Sequence, residues 1–162
     1  MKSGIYEIER KFLVKGEFKH LAYNRTHIEQ GYIASGNSRT VRVRIRDDKG
    51  YLTIKGPSGL GGLTRYEFEK EISLEDARNL MNICLPGTIV KDRWLVKNGK
   101  HIVEVDEFFG ENEGLVIAEI ELNSEDEEYI RPDFLGEEVT GDKRYYNSYL
   151  TGCPYKLWKN NA

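Results

Sequence analysis

The sequence predicts a mainly β fold of the α+β class, in which antiparallel strands are flanked by a few helices. Apolar and charged residues alternate along about eight segments, and a period of two is typical of strands with one covered face. The connections between these segments are short enough for antiparallel pairing. Strands therefore dominate the predicted fold.

The alternation places the strands near residues 5–14, 28–35, 40–47, 51–56, 64–72, 88–97, 100–108 and 115–123. Asn98-Gly99 is the strongest hairpin signal, because both residues tolerate positive φ in a two-residue turn. Asp47-Asp48-Lys49-Gly50 predicts a second hairpin turn, and Gly59-Leu60-Gly61-Gly62 predicts a longer flexible loop.

Helical patterns occur in four places. Ser73 is a predicted N-cap, followed by acidic first-turn residues and by apolar residues at helical spacing. Ser124 begins a similar acidic pattern, which predicts a helix that ends before Pro132. A C-terminal helix is predicted over about 143–152, and a short one near 16–22. We expect these helices to cover the apolar faces of the strands.

The length of 162 residues predicts a single domain over residues 1–162 with a sizeable core. Hydrophobic residues make up 39% and charged residues 31% of the chain, so the protein is globular but polar. No stretch approaches the roughly 18 apolar residues of a membrane span, and the N-terminus has no apolar signal region. We therefore expect a cytoplasmic protein without a membrane partner.

The cysteines argue against a cysteine-based metal site, and the net charge argues against a nucleic-acid-binding protein. Cys84 and Cys153 lack the spacing of a metal site, which predicts structural thiols in a reducing cytosol. The formal net charge of -3 gives no basic excess, so we expect no nucleic-acid partner. The direction in which the charges point carries more information than their sum.

Each predicted strand carries its charges on one face. In the first strand Glu7, Glu9 and Lys11 share a face, since successive side chains point to opposite sides. The later strands repeat the pattern with Arg42, Arg44 and Arg46; Lys55; Glu67, Glu69 and Glu71; Lys91 and Arg93; Glu104 and Asp106; and Glu119 and Glu121.

A solvated sheet face explains the charges of any one strand, but it explains the whole set less well. A solvated face normally mixes in Thr, Ser and Gln, whereas these charges form same-sign pairs at i and i+2. Such pairs cost on the order of a few kcal/mol in reduced dielectric unless a partner compensates them. Paired carboxylates favour a divalent cation and paired basic residues favour a polyanion, so a metal with a polyphosphate would satisfy both.

The chain resembles the triphosphate tunnel metalloenzymes, also called the CYTH superfamily. Glu7-Ile8-Glu9-Arg10-Lys11 matches their ExExK signature near the N-terminus. The residues that follow in the family's order are Arg42 and Arg44, Lys55, Glu67 and Glu69, Lys91 and Arg93, Asp106, and Glu119 and Glu121. Gln30-Gly31-Tyr32 and the tail from Gly136 to Tyr145 resemble the short bacterial members. The resemblance covers essentially the whole chain.

The resemblance implies an antiparallel eight-stranded β-barrel tunnel with helices packed outside. Side chains ordinarily fill an eight-stranded barrel, so a charged interior needs a ligand. Members of the family bind a linear triphosphate in the tunnel and cleave it with a divalent metal. The implied protein is an enzyme that hydrolyses inorganic triphosphate to phosphate and pyrophosphate with Mg²⁺ or Mn²⁺.

The resemblance also implies roles for individual residues. The implied metal-binding carboxylates are Glu7, Glu9, Asp106, Glu119 and Glu121, with Glu7, Glu9 and Glu121 as direct ligands. The implied phosphate-binding residues are Lys11, Arg42, Arg44, Lys55, Lys91 and Arg93, together with Arg144 from the tail motif.

Four residues are implied to be catalytic, and the roles of three of them stay open. Lys11 combines phosphate binding with catalysis, and Tyr32 either tunes its proton chemistry or simply packs. Glu67 and Glu69 either bind a second metal or orient the basic residues. A salt bridge at the rim is favoured for Arg46.

Several alternatives to inorganic triphosphatase stay open at this point. Within the family they are a nucleoside, RNA 5′- or thiamine triphosphatase and an adenylate cyclase, and nucleoside triphosphates are possible substrates. Outside it they are a non-catalytic polyphosphate-binding module and a plain β domain with a solvated face. Triphosphate should stabilise any of the family enzymes and the binding module against heat, but not the plain β domain. The protein is expected to be a monomer or a homodimer.

Overall fold

A computed structural model describes residues 5–36, 39–59 and 64–158, and the side chains of residues 8–36, 39–57 and 64–158. The strands in this part of the chain are β1 (Ile5–Val14), β2 (Ala22–Gly36), β3 (Arg39–Arg46), β4 (Lys49–Gly59), β5 (Thr64–Ile72), β6 (Ile89–Asn98), β7 (His101–Phe108), β8 (Val116–Leu122) and β9 (Leu135–Glu138). The helices are α1 (Leu74–Met81), α2 (Asn147–Gly152) and α3 (Tyr155–Trp158), with 3-10 turns at Lys19–Leu21, Gly110–Asn112 and Lys143–Tyr145.

The eight predicted strands are present, with two differences. Strand β2 begins at Ala22 rather than near residue 28, and its first half pairs with β6. Strand β9 was not predicted, because its four residues are too few to display an alternation. It pairs with the end of β1 and is not one of the eight strands that form the barrel.

The eight long strands form a closed antiparallel barrel. The pairing order runs β5-β4-β3-β2-β6-β7-β8-β1, and a further pairing of β5 with β1 closes the ring. Strand β1 makes this closure by dividing its length: Ile5–Ile8 pair with β5, whereas Ile8–Leu13 pair with β8. The prediction of an antiparallel eight-stranded barrel is therefore confirmed.

The main apolar core lies outside the barrel wall rather than inside it. Phe12 is fully buried on the side of β1 opposite Lys11, which faces the interior. It packs with outward residues of β6, β7 and β8 and with Phe18, Tyr129 and Phe134. The last three belong to the 15–21 and 123–135 segments, so connecting segments cover this wall where helices were expected.

A second apolar cluster closes one end of the barrel interior. Ile89 lies on the same face of β6 as Lys91, and Ile117 lies on the same face of β8 as Glu119, so both point inward. They pack with Phe108, Leu115, Val139, Tyr145 and Leu150. The C-terminal segment therefore supplies the floor of the tunnel.

Helix α1 forms as predicted and packs on β3 and β4. Its N-cap is Ser73, whose hydroxyl oxygen accepts a 3.0 Å hydrogen bond from the backbone N–H of Asp76. Ala77, a residue of this helix, is fully buried. A Cβ on Gly50 would lie 2.5 Å from the Ala77 Cβ, so only glycine at this position allows so close an approach.

The two predicted hairpins form, one of them shifted by a residue. Arg46 pairs with Lys49, so Asp47 and Asp48 make a two-residue turn in which Asp47 has φ 54°. Asn98 pairs with His101, so the second turn consists of Gly99 and Lys100 rather than Asn98 and Gly99. Of these two turn residues only Gly99 has positive φ, at 65°. Most of the predicted glycine-rich loop, residues 60–62, lies outside the described residues.

The helix predicted from Ser124 does not form. Residues 123–132 contain bends, a turn and irregular backbone. Side chains of the predicted helix start make other contacts: Ser124 donates to Asp126, and Glu127 accepts from the Asn123 backbone N–H and lies 2.7 Å from His101 Nε2 on β7. These contacts hold the segment over the outer core. The predicted C-terminal helix forms as a 3-10 turn followed by α2.

None of the helices in the described residues is both long enough and apolar enough to cross a membrane.

Replacing Phe12 by alanine tests whether the outer core stabilises the fold. We expect the free energy of unfolding to fall by about 3–5 kcal/mol, because the ring is fully buried and its loss leaves a cavity. Urea denaturation followed by circular dichroism measures the change. Phe68→Ala is the matched control, since Phe68 lies on the outer face of β5 with 37% of its surface exposed. Equal losses in both variants would contradict this account.

Candidate active site

A charged cavity of about 220 Å³ lies inside the barrel. Among the described residues, its charged lining comprises Lys11, Arg42, Arg44, Arg46, Lys55, Arg65, Lys91 and Arg93, and Glu9, Glu67, Glu69, Glu104, Glu119 and Glu121. Its uncharged lining comprises Tyr32, Thr40, Thr53, Tyr146, Asn147 and Ser148. The cavity therefore collects most of the charged pairs that the sequence places on one strand face.

Charge of one sign predominates on each of two opposite walls, while β1 and β5 carry both signs and β6 carries Lys91 and Arg93. Strands β3 and β4 contribute Arg42, Arg44, Arg46 and Lys55 and no lining carboxylate. Strands β7 and β8 contribute Glu104, Glu119 and Glu121. The order of strands around the ring places β3 and β4 across the barrel from β8 and β7. A ligand in the cavity thus meets a basic wall on one side and an acidic wall on the other.

Strand pairing brings the carboxylates of β1 and β8 together. Glu9 lies directly opposite Glu121, and Lys11 lies directly opposite Glu119. Directly opposite residues of an antiparallel pair project to the same face with their Cβ atoms about 5 Å apart. Lys11 is buried, and its ammonium lies 3.4 Å from the Glu119 carboxylate and donates to the Tyr145 carbonyl at 3.3 Å.

The charge state of Lys11 follows from these neighbours. Burial alone lowers its pKa, but the carboxylates of Glu119 and Glu9 outweigh burial and raise the pKa above the usual value. Lys11 is therefore protonated at neutral pH. The ring of Tyr146, whose centroid lies 4.9 Å from Nζ, covers the ammonium from the floor.

Asp106 lies behind the cavity lining and holds two basic residues. Its carboxylate accepts two hydrogen bonds from Arg93, at 2.8 and 2.9 Å, and lies 2.7 Å from Lys91 Nζ. Burial raises the pKa of Asp106, but the two cations outweigh it and hold the pKa far below the usual range. Asp106 thus stays ionised and fixes the direction of both side chains.

Neutral and acidic partners orient the basic wall. Arg42 donates to the Thr53 hydroxyl at 3.1 Å, and Thr53 donates to the Glu69 carboxylate at 3.0 Å. The same carboxylate lies 3.7 Å from Arg42. These contacts favour the orienting role for Glu69 over metal binding. Glu67 is buried and pairs in register with Lys55.

Gln30 and Tyr32 lie on the inward face of β2 beside this wall. Arg44 donates through Nε to the Gln30 side-chain oxygen at 2.8 Å. The Gln30 amide nitrogen donates to Tyr32 Oη at 3.3 Å and to Asn147 Oδ1 at 3.1 Å. Tyr32 lines the cavity together with Lys11.

The buried cations repel one another. Burial lowers the pKa of Arg44, and the charges of Arg42 and Arg93 lower it further. Burial also lowers the pKa of Lys91, where Arg93 and Arg44 act against Asp106. The protonated forms are therefore held in the barrel at an electrostatic cost, which an anion placed between them would relieve.

One buried donor of the basic wall has no hydrogen-bond partner. Arg42 Nε and Thr64 Oγ1 are the buried side-chain nitrogen or oxygen atoms without a hydrogen-bond partner in the described part of the chain. An unsatisfied buried donor is costly, and it costs more on a charged group. The donor set of the basic wall therefore fits an oxyanion.

The acidic wall fits a hard divalent cation that shares its coordination with a ligand. Within the described residues, no three His, Cys, Asp or Glu side chains are grouped closely enough to hold a metal ion. Glu9 and Glu121 nevertheless line the cavity in register, and Mg²⁺ usually takes one or two carboxylates plus waters and phosphate oxygens. The side chain of Glu7 lies outside the described residues, although its backbone pairs with Arg65.

Some predicted residues lie elsewhere than expected. Arg144 is not among the lining residues; it pairs with Asp142 at 2.7 Å and stacks over Tyr145. Arg46, for which a rim salt bridge was favoured, lines the cavity and donates to Tyr51 Oη at 2.8 Å. Glu104 lines the cavity and lies 3.6 Å from Arg93.

Sequence reasoning identified Tyr32 but missed the other uncharged lining residues and one basic residue. Thr40, Thr53 and Arg65 share strand faces with predicted site residues, so the alternation alone could have identified them. Tyr146, Asn147 and Ser148 come from the C-terminal segment. No periodicity in the sequence predicts that this segment folds back into the end of the barrel.

A closed antiparallel barrel with opposed acidic and basic inner walls defines the chain as a charged tunnel protein. The CYTH domain matches residues 6–147, so the chain belongs to the CYTH family. Family membership implies a divalent metal.

Two curated relatives have similar sequences over nearly their whole length. An inorganic triphosphatase of Acetivibrio thermocellus is 48% identical over 155 residues, which are 94% of this chain and 97% of the relative. An inorganic triphosphatase of Nitrosomonas europaea is 35% identical over 149 residues, 89% of this chain and 95% of the relative. A crystal structure of an inorganic triphosphatase superposes with a TM-score of 0.62 at 30% identity, covering 92% of this chain and 96% of that one.

Replacing Asp106 by alanine tests the electrostatic account of the cavity. We expect the free energy of unfolding at pH 7 to fall by about 3–5 kcal/mol, since Lys91 and Arg93 lose their buried partner. Tripolyphosphate should restore part of this loss by supplying negative charge. Urea denaturation with and without the anion measures both effects. Asp133→Ala, at an exposed position, is the control. An unchanged stability in Asp106→Ala would contradict the account.

Proposed function

We propose that this protein hydrolyses inorganic triphosphate to phosphate and pyrophosphate inside the barrel, with the help of a divalent metal. The observation that carries the proposal is the set of mutually repelling buried cations, with an unsatisfied Arg42 donor, opposite a wall of carboxylates. The two relatives named inorganic triphosphatase support it.

The basic residues would hold the triphosphate extended and neutralise its charge. Arg42, Arg44, Lys55, Lys91, Arg93 and Lys11 all line the cavity. A planar guanidinium can bind two phosphate oxygens at once, whereas an ammonium acts as a point charge. Each cation gains an anionic partner on binding, which removes the repulsion that lowers the pKa of Arg44 and Lys91.

The acidic wall would hold the metal. Glu9 and Glu121, with Glu7, are the proposed ligands, and Mg²⁺ and Mn²⁺ both accept such an oxygen set. When bound, a divalent ion neutralises phosphate oxygens and polarises the reacting phosphorus. Asp106 and Glu119 stay predicted members of the metal site, although their ion pairs with Lys91, Arg93 and Lys11 support an orienting role.

Hydrolysis needs water in line with the bond that breaks. Water attacks a terminal phosphorus and releases a proton to solvent, while the bond from that phosphorus to its bridging oxygen breaks and pyrophosphate leaves. Glu67 and Glu69 are proposed to orient the basic residues and the water. Lys11 stays protonated because its carboxylate neighbours raise its pKa, so it can stabilise the developing negative charge, with Tyr32 beside it in the lining. Arg144, outside the lining, stays a predicted phosphate ligand.

We also propose that residues 1–162 act as one tunnel domain in the cytoplasm, as a monomer or homodimer without a nucleic-acid partner. The free thiols of Cys84 and Cys153 support a reducing compartment. Nucleoside triphosphates are the alternative substrates, because the charged side chains of the described lining complement phosphate groups.

Binding of tripolyphosphate without metal is the first test of the cavity. We expect a rise of several degrees in the melting temperature in the presence of EDTA, because ligand binding to the folded state stabilises it. The shift should shrink at high salt, which screens the charges. Differential scanning fluorimetry measures it, with sulfate at equal ionic strength as the control. The absence of any shift would favour a plain β domain.

Catalysis is tested by phosphate release with Mg²⁺ or Mn²⁺ from inorganic triphosphate, ATP and thiamine triphosphate. We expect the fastest turnover on inorganic triphosphate, and a loss of about 100-fold or more in Glu9→Ala, because a metal-binding carboxylate disappears. Glu29→Ala, a half-exposed glutamate on the outer face of β2, is the matched control and should keep full activity. Tight binding without turnover on any substrate would indicate a binding module instead.

A further inference from the structure

Two neutral amides connect the buried cations at the floor of the cavity. Asn147 Oδ1 accepts hydrogen bonds from Lys91 Nζ at 2.8 Å and from Gln30 Nε2 at 3.1 Å. The Gln30 oxygen accepts from Arg44 Nε at 2.8 Å. The pair therefore bridges a cation of β6 to a cation of β3, through one residue of β2 and one of the C-terminal segment.

The orientation of both amides is fixed by the cations. Lys and Arg side chains can only donate hydrogen bonds, so each amide must turn its oxygen toward its cation. The Gln30 nitrogen is then directed at Asn147 and at Tyr32. Gln30 is fully buried, so water does not substitute for these contacts.

Neutral partners have a consequence that carboxylates would not have. Asp106 also holds Lys91, but it cancels one positive charge. An amide oxygen satisfies the donors of a cation and leaves its charge intact for a ligand. On the basic wall Gln30 holds Arg44 in the same way, whereas Arg42 has a neutral partner in Thr53 and an acidic one in Glu69, 3.7 Å away.

We infer that Asn147, with Gln30, is a positioning residue for the triphosphate: the amide pair holds Lys91 and Arg44 in place for the phosphate oxygens without neutralising them. The inference rests on the proposed function and adds a role for the C-terminal segment. Asn147 begins α2 and lies between the floor residues Tyr145 and Leu150, so closure of the floor and placement of Lys91 depend on the same segment.

Charge and shape are separated by two substitutions at one position. Asn147→Asp keeps the accepting oxygen and the size but adds a negative charge next to Lys91, whereas Asn147→Ala removes the whole amide, with its acceptor, without adding charge. Gln30→Glu repeats the charge change at the other amide. Asn98→Asp is the matched control, because Asn98 is a buried asparagine that bonds to the Ile130 carbonyl far from the cavity lining.

The readout is the affinity for tripolyphosphate, measured by isothermal titration calorimetry in EDTA, with melting temperatures and KM and kcat alongside. We expect a loss of affinity of about tenfold in Asn147→Ala, from the lost hydrogen bond to a charged group. We expect about 100-fold in Asn147→Asp and in Gln30→Glu, from the added negative charge. KM should rise more than kcat falls, and Asn98→Asp should bind within about twofold of the wild type.

Three results would overturn the inference. Wild-type affinity in both Asn147→Asp and Gln30→Glu would show that these amides do not need to be neutral. An equal loss in Asn98→Asp, or losses that follow the melting temperature, would indicate a general structural role. Wild-type protein that neither binds nor hydrolyses triphosphate would remove the proposed function together with the inference, whereas normal wild-type turnover with unaffected variants removes the inference alone.

Discussion

The arrangement of the interior depends on one electrostatic constraint: several cations buried in a closed barrel must be held apart and kept charged. Lys91 is 1% exposed and Arg42 and Arg44 are each 7% exposed, so water screens their repulsion poorly. Strand register provides the partners, because directly opposite inward residues of neighbouring strands lie about 5 Å apart. Arg93 meets Asp106 and Lys11 meets Glu119 in this way.

A charged interior moves the hydrophobic core to the outside. In most small barrels apolar side chains fill the lumen, which stabilises the closed sheet. Here the inward positions carry charge, so the wall must gain its stability from its outer face. Phe18 and Phe134 in the covering segments, and the buried Ala77 of α1, serve this purpose. The apolar floor at Ile89 and Ile117 is where the core enters the lumen.

The alternation of charge identified the strands and most of the site, because register converts a strand face into a position in the barrel. It could not identify contacts that depend on the path of the chain between strands. The Ser124 segment has the composition of a helix start, yet Glu127 bonds to His101 and the helix is lost. Asn147 does not lie in a strand, so the alternation could not identify it, and Gln30 was identified only as part of a motif.

The separation of the walls explains which partners are neutral. A metal bound to a polyphosphate presents positive charge on one side and negative charge on the other. Carboxylates on β7 and β8 complement the first, and the guanidinium groups of β3 with the Lys55 ammonium of β4 complement the second. Acidic partners on the basic wall would cancel the charge that the anion needs. Gln30 avoids this cost at Arg44, because it orients that guanidinium with an uncharged oxygen, whereas Arg42 is oriented by both Thr53 and the Glu69 carboxylate. The polarity of the cavity therefore depends on its neutral residues as much as on its charged ones.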